Sequence, residues 1–585
     1  MSTTSRPILV FGATGYIGGR LVSELLNAGY RVRVTGRSLI KLQTRSWSQH
    51  PNVEIVQSDI LDRESTIRAA QGCVYGYYLI PPLNPLSSEY IVDFQASANM
   101  IEAADEAGWK QLIHLCAIWG ADVQLSPFLN SRREVKTLLH AGKTPVTSLH
   151  VAVILGCGSV AFEIIHHLVD RFNIVPGLRW MKSSCQPIAT HDIIDYMIAC
   201  LNNPDMLNRS FELGGSQKFT YQQLMQIYKE EAGLPRRRFL CFPFFNSRLS
   251  AYWIHMTTPV PAGKVYQLVE NLKQPAIPQN EAIRQLIPAK PMEIRQAFRL
   301  FINQINTDGV ETHWADAGET PDLEWLKESN QHKAGKRLYK DHRQLTLRAP
   351  INDVWRSVVR IGGETGWYYG NGLWKIRGFL DQLVGGVGLN RGRRHTEELR
   401  PGDALDVWRV QRVDSPNQLT LVAEMKLPGK AVLDFQLQQV DSHSVQINQT
   451  AWYQADGLAG MIYWFSVLPF HGFIFQGMIQ GIATATRLSH RFTYQAKLVV
   501  KTLKGSQPGQ FVNISEGGCK IFSVIKIPKQ THLGILLEEP VSVLSTVQVI
   551  GQYRVRDGYF LSLKFKDPSD AFLSWLQQTI HELSG

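Results

Sequence analysis

Three glycines near the start, Gly12, Gly15 and Gly18 in ILVFGATGYIGG, follow an apolar run at GxxGxxG spacing. Glycine at such positions lets the backbone turn tightly and approach a pyrophosphate, whose charge then rests on the N-terminus of the next helix. Gly12, Ala13, Thr14, Gly15, Tyr16, Ile17 and Gly18 are therefore candidates for holding a dinucleotide. The second strand chooses which one. An acidic residue at its end would accept the ribose hydroxyls of NAD. Between Glu24 and Glu54 there is no Asp or Glu, whereas Arg33 and Arg37 are present. Arg37 at the strand end suits a 2′-phosphate, which favours NADP(H) over NAD(H). Asp59, with Ile60 beside it in VEIVQSDILD, follows a third strand and is placed to meet the adenine amino group.

These residues need alternating strands and helices to position them. ILVFGATGYIGGRLVSELLNAGYRVRVTGR reads as strand, glycine turn, helix, strand, and GCVYGYYLIPP and KQLIHLCAIWGA as the fourth and fifth strands. In these stretches, and through QPIATHDI and FELGG, the chain resembles the extended short-chain dehydrogenases. The likeness is to the atypical NmrA-like and complex-I-subunit-like members, including a bacterial subfamily of unassigned activity. The resemblance covers roughly residues 7–300. It implies an α/β Rossmann domain and, ordinarily, a catalytic Tyr-x-x-x-Lys pair with a serine upstream. No tyrosine occurs between Tyr90 and Tyr196; LSPFLNSRREVKTLL places Phe128 and Arg132 at the pair's spacing, and LCAIWGA offers Cys116 and Ala117 at the serine position. A phenyl ring donates no proton, so ordinary carbonyl reduction lacks its general acid. His114 and His191 are the titrating side chains left, with structural roles expected for both. The catalytic residues are unknown.

From about residue 340 the pattern changes. RQLTLRAPINDVWRSVVRIGG is strand, turn and short helix, and LDVWRVQRVD, QLTLVAEMKLPGKAVLDFQLQQVD and SVQINQTAWYQ alternate apolar and polar residues as antiparallel strands do. A closing helix over 457–486 completes an α+β arrangement that resembles the helix-grip fold, a sheet wrapped round a helix. That likeness implies a cavity for a hydrophobic small molecule, with Trp408, Trp452 and Trp464 as pocket or core. Gly385 to Arg394, GGVGLNRGRR, combines glycines with Arg391, Arg393 and Arg394, but lacks the Lys-Ser/Thr of a phosphate loop and reads as a basic hairpin.

Toward the C-terminus, TRLSHRFTY carries Arg487-x-x-x-Arg491, and FVNISEGGCKIF carries Asn513-x-Ser515-x-x-Gly518. Together, in this order, the two motifs resemble those of a PilZ domain, the bacterial receptor for cyclic di-GMP. This implies an all-β barrel with a terminal helix, and a ligand held by Arg487, Arg491, Asn513, Ser515 and Gly518. Guanidiniums pair bidentately with phosphate and engage guanine edges. Residues 485–585 hold twelve Lys/Arg against seven Asp/Glu, which suits an anionic ligand. The domains expected are 1–305 Rossmann, 306–339 linker, 340–485 helix-grip-like and 486–585 PilZ.

At 585 residues, 44% hydrophobic and 19% charged, the chain is globular and of roughly three or four domains. The net charge of +11 is spread thinly, and no DNA- or RNA-reading motif accompanies it, so a nucleic-acid partner is not expected. Seven scattered cysteines without CxxC spacing argue against disulfides and zinc, and MSTTSRPILVFG shows no signal-peptide pattern; a cytoplasmic protein is expected. Residues 457–486 carry no Asp, Glu, Lys or Arg. Pro469, His471, Gln476, Gln480 and five glycines interrupt them, and their apolar spacing suits a helix covering a core. Burial is expected, with peripheral contact at the inner face of a membrane as the alternative. Three functions stay open: a cyclic di-GMP effector that senses NADP(H), a regulated oxidoreductase on a hydrophobic substrate, and a scaffold with a structural cofactor.

Overall fold

The structure, a computed structural model, describes residues 6–584 except 82–90, 120–124, 178, 242–245, 273, 307–309, 319–322, 324, 327–335, 390, 392, 442–443, 490–491, 494–496, 503–504, 516–517, 524–526, 528–530, 538–542, 556–557 and 567. The short apolar runs of the N-terminal part form β1 (Ile8–Phe11), β2 (Val32–Gly36), β3 (Val53–Gln57), β4 (Tyr75–Tyr78), β5 (Gln111–Ala117), β6 (Val146–Val151) and β7 (Ser210–Leu213). They pair in parallel in the order 7-6-5-4-1-2-3. Strands covered on both faces need no alternation, which is why β1, β4 and β6 are buried along their whole length. The order reverses between β1 and β4, and in such sheets a crevice opens beyond the strand ends at that point. Helix α1 (Tyr16–Asn27) leaves β1 there, while α2 (Ile91–Glu106) and α3 (Pro127–Leu139) pack beyond β4 and β5 through Ala96, Met100, Val135 and Leu139.

The middle part is a six-stranded antiparallel sheet of β8 (Lys336–Arg348), β9 (Ala404–Leu405), β10 (Trp408–Asp414), β11 (Gln418–Ala423), β12 (Gly429–Asp441) and β13 (Ser444–Asp456), in the order 8-13-12-11-10-9. Its inward side chains, among them Leu433, Phe435 and Ile447, meet α4 (Ile351–Val359) and the long α6 (Gly457–Ser489); α5 (Asn371–Leu383) lies between them in sequence. Burial of α6 holds for only part of its length. Phe475, Met478, Ile479 and Ile482 are buried in this core, whereas Leu458, Ile462 and Phe465 are exposed. The two halves of the helix have different surroundings, and only the second meets the main core.

The C-terminal part contains β14 (Phe492–Thr493), β15 (Lys497–Thr502), β16 (Gly505–Ser515), β17 (Gly518–Ser523), β18 (His532–Leu537), β19 (Val543–Val555) and β20 (Gly558–Lys566), followed by α7 (Asp570–Ser584). β17 pairs with both β16 and β20, and the ladder continues through β19, β18 and β15 back to β16. The sheet therefore closes into a barrel around Phe511, Ile521, Val547 and Leu561, with the short β14 added along β16 and with Phe572 and Leu576 of α7 in the same core.

Candidate functional site

The dinucleotide loop is built from backbone conformations that side chains would spoil. Gly12 has φ +91°, and a Cβ there would lie 2.7 Å from the Leu79 carbonyl oxygen of the neighbouring strand end. A Cβ on Gly18 would lie 2.8 Å from the Gly12 carbonyl carbon and closer still to its oxygen, so glycine is what lets α1 sit against the turn. Gly15 caps α1 without a side-chain bond, and the first turn holds no acid. The first turn thus brings no carboxylate to the helix N-terminus, and the site fits an anionic pyrophosphate. Ala13 is buried under the loop, and the Tyr16 phenol lies 2.9 Å from Thr190 Oγ1; burial pushes that phenol up to about 12.

Arg37 is exposed just after β2, and its carbonyl accepts from Gln57 Nε2 at 2.9 Å. Arg33 lies at the other end of the strand, where it pairs with Glu54 at 3.0 Å and donates to the Ala69 and Gln71 carbonyls. Asp59 turns back on its own chain, accepting from the Leu61 amide at 3.1 Å, and Ile60 is buried.

At the position of the usual catalyst, the chain has made a structural ion pair. Arg132 donates to Asp93 Oδ2 at 2.7 Å, with both side chains under 10% exposed, and Ser131 Oγ lies 3.2 Å from the same oxygen. Phe128 stands one turn earlier on α3, half-buried. Three neighbouring titratable groups are held neutral by burial. The Cys116 thiol is pushed up to about 11, the imidazole of His150 is lowered to about 4, and His114 lies well below the ordinary histidine range. His191 is remote from them in role, exposed on helix Thr190–Cys200 and 3.0 Å from Asp195.

Residues 311–318, expected as part of a linker, instead form a strap along α1. Thr312 Oγ1 donates to the Tyr16 carbonyl and accepts from Arg20 Nε, each at 2.8 Å. Arg45 bridges Asp316 and the Thr14 carbonyl of the glycine loop, both at 3.0 Å. Lys41 Nζ donates to the Asp316 and Gly318 carbonyls at 2.6 and 2.7 Å, and its burial beside Arg45 and Arg409 lowers it to about 7. Arg409 of the middle domain donates to the Ala315 carbonyl at 2.9 Å. None of Arg20, Lys41, Arg45 or Asp316 stood out in the sequence. The available signal was Trp314, an apolar residue inside a polar stretch, which is buried.

In the middle domain the three tryptophans do not line one pocket. Trp408 belongs to the main core beside Trp367, Trp464 stacks with Tyr453 and Tyr339, and Trp452 packs with a third, smaller cluster under Lys340. Residues 385–394, read as a basic hairpin, form no strand among the described residues and lie in the loop between α5 and β9, where the arginines are consumed internally. Arg391 pairs with Glu424, Arg394 with Asp403 at 3.4 Å, and Arg393 donates to the Ile361 carbonyl at 2.8 Å.

In the barrel, Phe492 pairs with Ile514 and Thr493 with Asn513, so the chain following the arginine motif lies alongside the strand of the second motif. Helix α6, which carries Arg487, ends against that same strand, β16. A Cβ on Gly518 would strike the Leu563 carbonyl of β20, so this glycine serves barrel closure. Arg491 and the side chains of Arg487, Asn513 and Ser515 lie outside the described residues.

Comparisons with known proteins divide the chain likewise. Residues 4–241 match the NmrA-like family, 333–478 a family described as Protein of unknown function (DUF2867), and 485–582 the PilZ domain. The N-terminal domain is NmrA-like, of NAD(P)-binding short-chain-dehydrogenase type, and the C-terminal domain is a PilZ domain. The photosystem II assembly factor Ycf39 of Trieres chinensis is 24% identical over 234 residues, 39% of this chain and 69% of that protein. The chloroplastic divinyl chlorophyllide a 8-vinyl-reductase of Zea mays is 25% identical over 224 residues, 36% of this chain and only 55% of the relative's length. Among solved structures, a Citrobacter triphenylmethane reductase is 17% identical with a TM-score of 0.43, covering 51% of this chain and 99% of that one. UDP-glucose 4-epimerase of Thermotoga maritima is 15% identical with a TM-score of 0.41, covering 52% and 99%.

Proposed function

We propose that this protein is a cyclic di-GMP effector whose NmrA-like domain binds NADP(H) without turning it over. The observation that carries the reading is the Arg132–Asp93 pair. Where reductases of this type keep a proton donor and its lysine, this chain has Phe128 and a buried guanidinium already neutralised by a carboxylate. Arg132 and the half-buried Lys136 bring positive charge to this corner, but burial outweighs it: the Cys116 thiol is still pushed up to about 11 and the Tyr78 phenol is raised as well, while His114 and His150 are held below the ordinary histidine range. The glycine loop, by contrast, keeps every feature that pyrophosphate binding needs. Binding without chemistry is what that combination supports. When bound, the nicotinamide cofactor would supply hydride chemistry; here Gly12, Gly15 and Gly18 would hold its pyrophosphate and Arg37 a 2′-phosphate.

The PilZ motifs, with Arg487, Arg491, Asn513 and Ser515, support cyclic di-GMP as the second ligand. The middle domain, a six-stranded antiparallel sheet crossed by α6, supports a helix-grip arrangement as the body joining the two. Calorimetric titration of the full chain tests both halves. NADPH is expected to bind more tightly than NADH, with Arg37→Ala weakening NADPH about tenfold or more through loss of a charge-assisted contact. Cyclic di-GMP is expected to bind, and Arg487→Ala or Arg491→Ala to weaken it by a similar factor. Steady NADPH consumption with carbonyl compounds would refute the non-catalytic reading, and absence of heat with cyclic di-GMP would refute the receptor reading.

A further inference from the structure

Helix α6 presents one continuous outward face through Leu458, Ile462, Phe465, Pro469 and Phe473, at intervals of three and four residues. Its continuation, Gln476, Gln480 and Thr484, is also exposed. The first half of this face is apolar and the second half polar, although both are outside the domain. Leu458 is 71% exposed and Ile462 62%. Helix α5 extends the apolar part sideways: the Arg377 guanidinium lies 5.9 Å from the Tyr463 ring, and a Cβ on Gly370, at the start of α5, would touch Ile474. On α5, Ile376, Phe379 and Leu383 are exposed at 58, 53 and 47%. A contiguous apolar surface of this kind marks a site that water does not cover in the working state.

We infer that the paired faces of α5 and the first half of α6 dock the protein on an anionic lipid bilayer, lying in its interface. Charge decides the occupant. Residues 371–384 and 457–486 contain Lys375 and Arg377 and a single acid, Asp381, which is fully buried. Of these, Lys375 is exposed and Arg377 is half-buried 3.9 Å from Asp381 Oδ1, so the two segments expose no acid, the nearest being the exposed Asp456 just before α6. Lys426, whose amide donates to Asp381 Oδ1 at 2.7 Å, and Lys430 add further exposed cations at the margin. An apolar face rimmed by cations matches acyl chains beneath anionic headgroups. A two-fold contact between copies would instead bring cations together with no exposed acid on either helix to meet them. Geometry decides the depth. From Leu458 to Phe473 the apolar run is about 24 Å long at 1.5 Å per residue. A bilayer core is ~30 Å thick. One side of this helix is also packed on Tyr339 and Tyr453 through Trp464, and its second half is buried in the domain. The helix therefore lies on the membrane and does not cross it.

Flotation of the full-length protein with phosphatidylcholine vesicles, alone or mixed about 7:3 with phosphatidylglycerol, tests this. Binding is expected to the mixed vesicles, to weaken on raising salt to ~0.5 M as headgroup attraction is screened, and to be smaller on phosphatidylcholine alone. Ile462→Glu/Phe465→Glu should lower the bound fraction tenfold or more with an unchanged melting temperature, because both side chains are exposed. Lys375→Glu/Lys430→Glu, at two exposed cations, should remove the preference for phosphatidylglycerol. If the double glutamate variant fails to fold, Phe379→Glu on α5 carries the same test. Wild-type protein that stays at the bottom of the gradient, or variants that float like the parent, would overturn the inference. So would a wild-type dimer by light scattering that ignores vesicles and becomes monomeric in the glutamate variant, which would assign the face to a second copy.

Discussion

Replacing Arg132 with leucine is the sharpest perturbation of the claim that the catalytic corner has become structural. The Asp93 carboxylate is 3% exposed and loses its cation in this variant. Breaking a buried pair by removing one partner costs about 3–5 kcal/mol, because the remaining charge stays desolvated. At roughly 2–4 °C per kcal/mol for a large domain, the N-terminal melting transition should fall by on the order of 10 °C. The control is Asp93→Leu/Arg132→Leu. Exchanging both partners for apolar groups leaves no buried charge and is often close to neutral, so the double variant should regain most of the loss. Differential scanning calorimetry of the full chain, with NADPH added to identify the N-terminal transition by its upward shift, reads both effects. An Arg132→Leu transition within 1–2 °C of the parent, or a double variant no better than the single one, would show that Arg132 is not held by Asp93. It would then be free to act on a ligand, and the argument for a silent catalytic corner would fail.

Gly18→Ala should abolish NADPH binding and destabilise the domain by about 1–3 kcal/mol, since the new methyl meets only backbone atoms of the Gly12 turn; fluorescence titration and melting curves check this. Burial pushes the Asp406 carboxyl, which accepts from the Gly363 amide and Trp367 Nε1, up to about 6. An unfolded aspartate titrates near 3.9. Between these values the folded domain holds a proton the unfolded chain has released. Middle-domain stability should therefore fall as pH rises from about 4 to about 6, by roughly 3 kcal/mol, and stay level above. Asp406→Asn, which keeps an acceptor oxygen, should flatten that slope in chemical denaturation. Finally, if the two ligands are coupled, the factor by which saturating NADPH changes cyclic di-GMP affinity must equal the factor measured in the opposite order; titration both ways reads it.

What could be read along the chain was whatever depended on neighbours in sequence. The glycine loop and its strand are legible because turn, helix and pyrophosphate cradle lie within a dozen residues, and their geometry follows from missing Cβ atoms. The PilZ motifs were legible for the same reason, as short local patterns. What they could not reveal is that Gly518 is required by β20, a strand some forty residues later. The Arg132–Asp93 pair joins positions 39 apart, so the absence of tyrosine was visible but the new use of its partner position was not. The strap was hidden because polar residues that satisfy one another across domains look, in sequence, like solvated linker. In α6, apolar periodicity shows that a stripe exists but not what covers it: the second half enters the main core, whereas the first meets the sheet only through the small cluster of Trp464, Tyr339 and Tyr453.

Among the described residues the three domains are joined at the strap, through α6, and where α5 meets the helix Ser247–Thr257, with Gln382 Nε2 donating to the His255 carbonyl at 3.4 Å, and this bears on how a signal could pass. At the N-terminal end, the strap ties the glycine loop to the middle domain through charge-assisted bonds: Arg45 to Thr14 and Asp316, Lys41 to Asp316 and Gly318, Arg409 to Ala315. The three donor side chains are buried, so separating the domains would leave them unpaired, which is costly. That makes the glycine loop and the middle sheet move together. At the other end, α6 is shared, with Met478 and Ile482 in the middle core and its last turn against β16. A rigid helix transmits displacement along its length, and the part that leaves the core is its apolar first half, beside α5. A ligand at the barrel therefore changes the cofactor loop only if it prefers one seating of α6 over another, since a ligand indifferent to the two shifts nothing. The helix faces barrel, core and outer surface in succession. Its seating is thus the one variable that all three regions can bias.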